Sequence, residues 1–351
     1  MGAAHPPAGP AHTRAGLHVR LRSLTLGLAS PFVLLLTGCA TKENTLHPES
    51  KPERAITHLW WVMLAGASIG FGVVVFLLFL GWWRRQREGL PFGAGNRFGT
   101  GLVVLLGVVV PIVVLSLLFV WANLFVMRTT AAPAPGSTAM TVEVIGHQWF
   151  WEARYPGTKA VTANEIHIPA RTRVNLVVRA ADVIHSFWVP QLNRKIDMIP
   201  GQANRILLYA DRPGVYRGRC AEFCGIQHAH MSVEVFADPP ARFRAWLAGQ
   251  ARPARAPSGT AERLGKRVFS SESCSGCHTI RGTSATGRVG PDLTHLASRT
   301  TLASVTIPNQ HAYLAGWILD PQHFKPGNKM PALNLSGPQL QSVLDYLESL
   351  K

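Results

Sequence analysis

Cys220-Ala-Glu-Phe-Cys224-Gly-Ile-Gln-His228-Ala-His-Met231 brings two thiols, an imidazole and a thioether into one short stretch, and Asp182-Val-Ile-His185-Ser adds a second imidazole upstream. Thiolate, imidazole and thioether are the soft and borderline donors that copper favours. Two cysteines four residues apart on one loop can bridge two metal ions with both sulfurs, and one histidine per metal then completes a nearly symmetric pair. Shared thiolates delocalise an electron, so the geometry changes little between redox states, as a fast one-electron relay requires. A mononuclear blue-copper site needs only one cysteine, so the second points to two metals. The competing reading is a Cys220–Cys224 disulfide in an oxidising compartment, with His228 and Met231 as ordinary loop residues.

Outward from this loop the chain reads as short strands. Thr141-Val-Glu-Val-Ile145, Arg173-Val-Asn-Leu-Val-Val178 and Ser232-Val-Glu-Val-Phe236 have period-2 or β-branched character, with Gly and Pro between them. Residues 140–236 therefore read as a compact antiparallel β domain, with a short helical exit at 242–250 that completes a unit over 140–250. An Ala/Pro/Gly/Ser linker precedes it at 131–139, and a second linker at 251–259 contains Pro253, Pro257 and Gly259. His147, His167 and His230 lie near this domain and are read as surface or packing residues.

Further upstream, Leu59 to Trp83 is a run of 25 residues without a charge, and Phe98 to Met127 is a run of 30. Each exceeds the ~20 residues that a helix needs to cross a bilayer. These runs predict a transmembrane hairpin over 59–130, with spans at about 59–83 and 101–127 and Trp60, Trp61, Trp82, Trp83 and Trp121 near the interfaces. Arg84, Arg85, Arg87 and Arg97 against Glu88 place the connecting loop in the cytoplasm, so both flanks face outside. Pro111 interrupts the second span.

The amino terminus reads as an address. Arg14, Arg20 and Arg22 precede an apolar run that ends in Leu36-Thr-Gly-Cys39. That ending resembles a bacterial lipobox, which implies a signal peptide over 1–38 and lipidation of Cys39 as the first mature residue; residues 39–58 would then form an external segment. The other reading is a signal anchor with an incidental cysteine.

A second chemical cluster, Cys274-Ser-Gly-Cys277-His278, is the attachment signature of a c-type haem: two thioethers hold the porphyrin and the adjacent histidine is placed as an iron ligand. Residues 260–351 look helical at both ends, and Ser336 can cap a closing helix whose Leu340, Val343, Leu344, Leu347 and Leu350 share one face. A thioredoxin-like pair or a zinc half-site would lack its βαβ setting or its second cysteine pair.

Gly146-His-Gln-Trp-Phe-Trp-Glu152, Asp182-Val-Ile-His-Ser186, Ile199-Pro-Gly201 and Cys220-Ala-Glu-Phe-Cys-Gly225 together look like subunit II of the haem-copper cytochrome c oxidases. The resemblance implies a cupredoxin-like Greek-key barrel with a dinuclear CuA centre. His185 and His228 would each bind one copper, Cys220 and Cys224 would bridge both, Met231 would be a weak axial ligand, and the Glu222 carbonyl would serve the other copper. The Glu222 side chain would reach a magnesium shared with subunit I, and Trp149 matches the family's electron-entry residue. Gly265-x3-Phe269, Gly290-Pro-Asp-Leu293 and Pro326-Gly-Asn-Lys-Met330-Pro331 resemble a class I cytochrome c, with His278 and Met330 as axial ligands, a pairing that raises the haem potential. Such a fusion resembles the caa-type oxidases. All five cysteines then have separate tasks, with none left for a structural disulfide.

The expected architecture is thus a multidomain membrane protein: a two-helix hairpin, an all-β cupredoxin-like domain and an all-α cytochrome c domain over 260–351. The expected function is electron input to a proton-pumping terminal oxidase of the bacterial inner membrane, with both metal domains on the periplasmic face. Oxygen chemistry would reside in subunit I, leaving no catalytic residue in this chain. Subunit III and an external donor, a cytochrome c or a quinol-oxidising complex, complete the expected partners. The alternatives are the input subunit of a CuA-containing nitric oxide reductase and a free-standing membrane-anchored carrier. Many relatives have a glutamate at the mouth of a proton path near the cytoplasmic end of the second span; aligned on Pro111, that position is Val104, so no proton-entry residue is assigned.

Composition excludes other classes. The 351 residues carry 35 Lys+Arg against 19 Asp+Glu for a net charge of +16, yet charged residues are only 15% and apolar ones 47%. That is no disordered tail. The excess is spread along the chain without the block that binds nucleic acid. A copper domain without net acidity, carrying a tethered cytochrome, points to an acidic or neutral upstream donor.

Overall fold

A computed structural model describes Gly2 and residues 43–84 and 97–351. Cys39, the signal region and Glu88 lie outside the described residues.

Helix α1 (Lys51–Arg84) and helix α2 (Gly99–Thr130) are both long and apolar enough to cross a membrane. Each outruns the expected span, the first chiefly at its start. At the start of α1, the Ser50 hydroxyl accepts the Glu53 N–H at 3.1 Å, and Pro52 occupies the first turn, where a missing N–H costs nothing. Within α2 the backbone widens to a π turn at Leu105–Val109, just before Pro111, and again at Ala122–Met127.

Ten strands follow: β1 (Met140–His147), β2 (Phe150–Arg154), β3 (Val161–Ala163), β4 (Glu165–Pro169), β5 (Val174–Ala180), β6 (His185–Trp188), β7 (Ile196–Met198), β8 (Asn204–Leu208), β9 (Gly214–Cys220) and β10 (Ser232–Asp238). They form two five-stranded sheets, in the orders β3-β2-β1-β5-β8 and β4-β10-β9-β6-β7. The expectation of a wholly antiparallel domain is corrected: β1 runs parallel to β5, and β10 parallel to β4. The chain repeatedly crosses between the sheets, which brings some strands back in the same direction. Alternation along β1 buries Val142 and Val144 completely, and the sandwich closes over Trp151, Leu176, Met198 and Val235.

Helix α3 (Pro240–Gln250) leaves the sandwich, and a second core forms around α4 (Thr260–Ser271), α5 (Cys274–Cys277), α6 (His311–Leu319), α7 (Pro321–Phe324) and α8 (Gly337–Glu348). Ser336 caps α8 reciprocally with Gln339, as a capping box. The 251–259 linker is held in place near its start. The Ala254 N–H donates to the Arg281 carbonyl at 2.9 Å, and the Arg281 guanidinium returns a 3.3 Å bond to the Ala251 carbonyl.

Candidate metal centres

The end of β9, the loop after it and the start of β6 converge at one edge of the sandwich. His185, Cys220 and Cys224, all buried, each place a ligand atom within 4.8 Å of the others. His185 Nε2 lies 2.9 Å from Asp182 Oδ1, so the carboxylate takes the Nε2–H and the Nδ1 lone pair is left facing Cys220 Sγ, 3.9 Å away. His228 Nδ1 lies 3.6 Å from Cys224 Sγ, Met231 Sδ is 3.7 Å from the same sulfur, and the Glu222 carbonyl oxygen is 3.2 Å from Cys220 Sγ. The structure therefore brings together every soft donor expected from the loop, plus one carbonyl. The Glu222 carboxylate points elsewhere, 3.7 Å from Lys195 Nζ.

The electrostatics favour a cation. A hydrogen bond from Cys224 outweighs burial and, with His185, holds the Cys220 thiol down to about 3; the same pairing and burial push Cys224 up. Burial opposes ionisation of Asp182, but bonds from His185 and from the Gln148 and Val183 N–H groups hold its carboxyl below the usual range. Asp182 is a residue whose role the sequence pattern missed; its only signal was its position three residues before His185. Asp182→Asn removes the fixed charge that orients His185. The expected outcome is a 10- to 100-fold loss of copper affinity, of the order seen for carboxylate partners of metal-bound histidines, measured by competitive chelation of the intact chain.

Trp149 is half-buried beside this loop, its indole N–H donating to the Cys224 carbonyl at 3.0 Å. Its neighbours Phe150 and Trp151 are buried packing residues. The other histidines are engaged away from the cluster: His167 pairs with Asp238 at 2.7 Å and stacks on Trp246, His147 faces Glu152, and His230 bonds Gln227.

In the helical domain, His278 Nδ1–H donates to the Pro291 carbonyl at 2.8 Å, and burial pushes its pKa down, so the ring is neutral with Nε2 free. Gly290 makes this possible: a Cβ there would stand 2.4 Å from His278 Cε1. Cys274 and Met330 pack against the same core. Half-buried Arg299 donates from Nη2 to the Asp292 carbonyl, while its buried Nε has no hydrogen-bond partner. A free imidazole nitrogen, two nearby thiols, a thioether and a buried guanidinium N–H without a partner fit a covalent haem, which carries carboxylates of its own.

The family description "Cytochrome C oxidase subunit II, periplasmic domain" matches residues 160–237, and "Cytochrome c" matches residues 263–351. A cytochrome c oxidase subunit 2 of Alkalihalophilus pseudofirmus is 32% identical over 91% of this chain and 94% of its own length. The chain belongs to the cytochrome c oxidase subunit 2 family. The subunit 2 of Bacillus subtilis is 28% identical over 91% of this chain and 95% of its own length. Among solved structures, the periplasmic domain of subunit II of cytochrome oxidase from Bradyrhizobium japonicum covers 34% of this chain and 96% of its own length, at 28% identity and a TM-score of 0.32. Membership makes this chain subunit II of a cytochrome c oxidase carrying a cytochrome c domain, with copper belonging to the β domain and haem to the helical one.

Proposed function

We propose that this subunit takes electrons in on its helical domain and delivers them from its β domain to subunit I, the partner in which oxygen is reduced and protons are pumped. The observation that carries the reading is the donor set gathered at one edge of the sandwich: two sulfurs, each with its own Nδ1 partner, at 3.9 and 3.6 Å. Two thiolates, two imidazoles, one thioether and one carbonyl are enough donors for two coppers, and one metal would leave part of the set without a task.

Haem and copper, when bound, supply one-electron oxidation and reduction. The chain's own residues position them. His185, Cys220, Cys224, His228, Met231 and the Glu222 carbonyl would hold copper; Asp182 fixes the His185 tautomer. Cys274 and Cys277 would anchor the haem covalently, and His278, whose Nε2 is left available because Pro291 occupies its Nδ1–H, would hold the iron together with Met330. Trp149 is assigned as the inlet to the copper loop because its indole is bonded to the Cys224 carbonyl. The Glu222 carboxylate would bind magnesium at the subunit I boundary.

The two apolar helices make this a membrane-anchored protein with a periplasmic domain. We place it as a multi-pass protein of the bacterial inner membrane, with residues 39–58 and both metal domains outside, Cys39 lipidated, and subunit III and a cytochrome c or quinol-oxidising donor as further partners. Metal analysis of the intact complex, corrected for subunit I, is expected to give two coppers and one covalent haem for this chain. One copper, or a Cys220–Cys224 disulfide in the freshly isolated protein, overturns the copper assignment.

A further inference from the structure

The two metal domains meet across a seam that holds an unusual cation. Lys325 is 3% exposed, and its Nζ lies 3.0 Å from the His230 carbonyl, 3.3 Å from that of Trp149 and 3.4 Å from that of Ala303. The first two acceptors belong to the β domain and the third to the helical one. A buried ammonium satisfied by neutral carbonyls is costly, and burial pushes its pKa down to about 8.

The opposite jaw is also built at a cost. Ala303, Ser304 and Val305 are three successive non-glycine residues with φ of 52°, 57° and 64°. A run of left-handed L-residues is disfavoured at each position. This turn aims the Ser304 hydroxyl at the Trp149 carbonyl, 2.7 Å away, and the Val305 carbonyl at Arg217 of the β domain. The Trp149 carbonyl is thus taken by two donors from the helical domain, while its indole is bonded to Cys224 beside the copper loop. The same 324–330 segment that ends in Met330 is held a second time, with Gln227 Nε2 donating to the Pro326 carbonyl at 2.6 Å.

We propose that Lys325 and the Ala303–Val305 turn form a clamp on Trp149 that fixes the Met330 loop against the copper loop, making Lys325 a positioning residue for electron transfer between the two domains. The proposal rests on the functional reading above and goes beyond it. A linker alone raises the effective concentration of one domain near the other, whereas the clamp sets a single register between them.

The test uses the intact oxidase with Lys325→Met and, as a milder variant, Ser304→Ala. The amides of Thr300 and Thr301 donate across the seam to Glu165 Oε1 at 2.7 and 3.0 Å, so their hydrogen exchange reports docking without reference to turnover. Lys325→Met is expected to speed that exchange and to slow haem-to-copper electron redistribution after rapid reduction, each by ~10-fold or more, as befits the loss of charge-assisted bonds; Ser304→Ala should change both by ~3-fold. The optical spectra of haem and copper should be retained. Exchange and transfer within about twofold of the parent in both variants overturns the clamp. Failure of the underlying reading looks different: the unmodified oxidase would then lack copper or haem in this chain, or show no transfer between them.

Discussion

In the intact oxidase, Cys224→Ser is expected to lower oxygen consumption at least ~100-fold, because even outer partners of metal ligands are worth 10- to 100-fold and this sulfur is nearer the metals than any of them. Cys224 Sγ is one of the two sulfurs around which the donors gather: His228 Nδ1 lies 3.6 Å from it and Met231 Sδ 3.7 Å. Its removal takes away one of the two sulfurs of the site and leaves His228 and Met231 without their nearest donor. A serine oxygen is harder, binds a proton tightly at neutral pH and does not replace a thiolate for copper. The helical domain has its own core and its own donors, so the covalent haem spectrum should be unchanged. Copper content, oxygen uptake and the haem spectrum measured on one preparation decide the matter; near-parental uptake with two coppers retained would sink the role of Cys224.

Gly265→Ala is expected to destabilise the helical domain severely. A Cβ at this position would lie 1.8 Å from the Ser342 carbonyl oxygen, 2.6 Å from its carbon and 2.8 Å from Tyr346 Cβ. The obstacles are chiefly backbone of α8, so no side chain can swing aside and the two helices must separate. Their contact buries Phe269 and Tyr346 in an edge-to-face pair and closes the core that includes Val343 and Leu347. Overpacking of this kind costs about 3 kcal/mol, which for a domain of this size is a fall in melting temperature of ~10 °C or more. The haem absorbance of the full chain gives the melting curve. Gly276→Ala is the matched control, since nothing lies within 4 Å of a Cβ there. If both variants melt together, the close approach of α4 and α8 does not limit this domain's stability.

Sequence pattern reached some of these features and not others for a physical reason. The cluster of soft donors was legible because one loop supplies several of them at once, and Cys220, Cys224, His228 and Met231 lie within twelve residues. The cap of α8 was legible because Ser336 and Gln339 are local partners. Period-2 alternation reports which face of a strand is buried and not which way its neighbour runs, so the parallel ladders β1/β5 and β4/β10 were out of reach. The seam was out of reach as well. Ser304 and Lys325 find Trp149 from 155 and 176 residues away, and neither carries a motif that announces its partner. Pro253, Pro257 and Gly259 read as a loose connection, and nothing local shows that Arg281 would tie that segment down.

The carboxylate of Glu165 has a consequence for protein engineering. One of its oxygens receives the N–H groups and hydroxyls of both Thr300 and Thr301, and the residue is 3% exposed. A copper half expressed alone would present that acid to solvent with its four donors gone, and a foreign cytochrome grafted at 251–259 would meet it without the threonine pair. Chimaeras between relatives should therefore exchange Glu165, Thr300 and Thr301 as one cassette, since the joint that matters lies across the seam and not at the peptide bond where the genes are spliced.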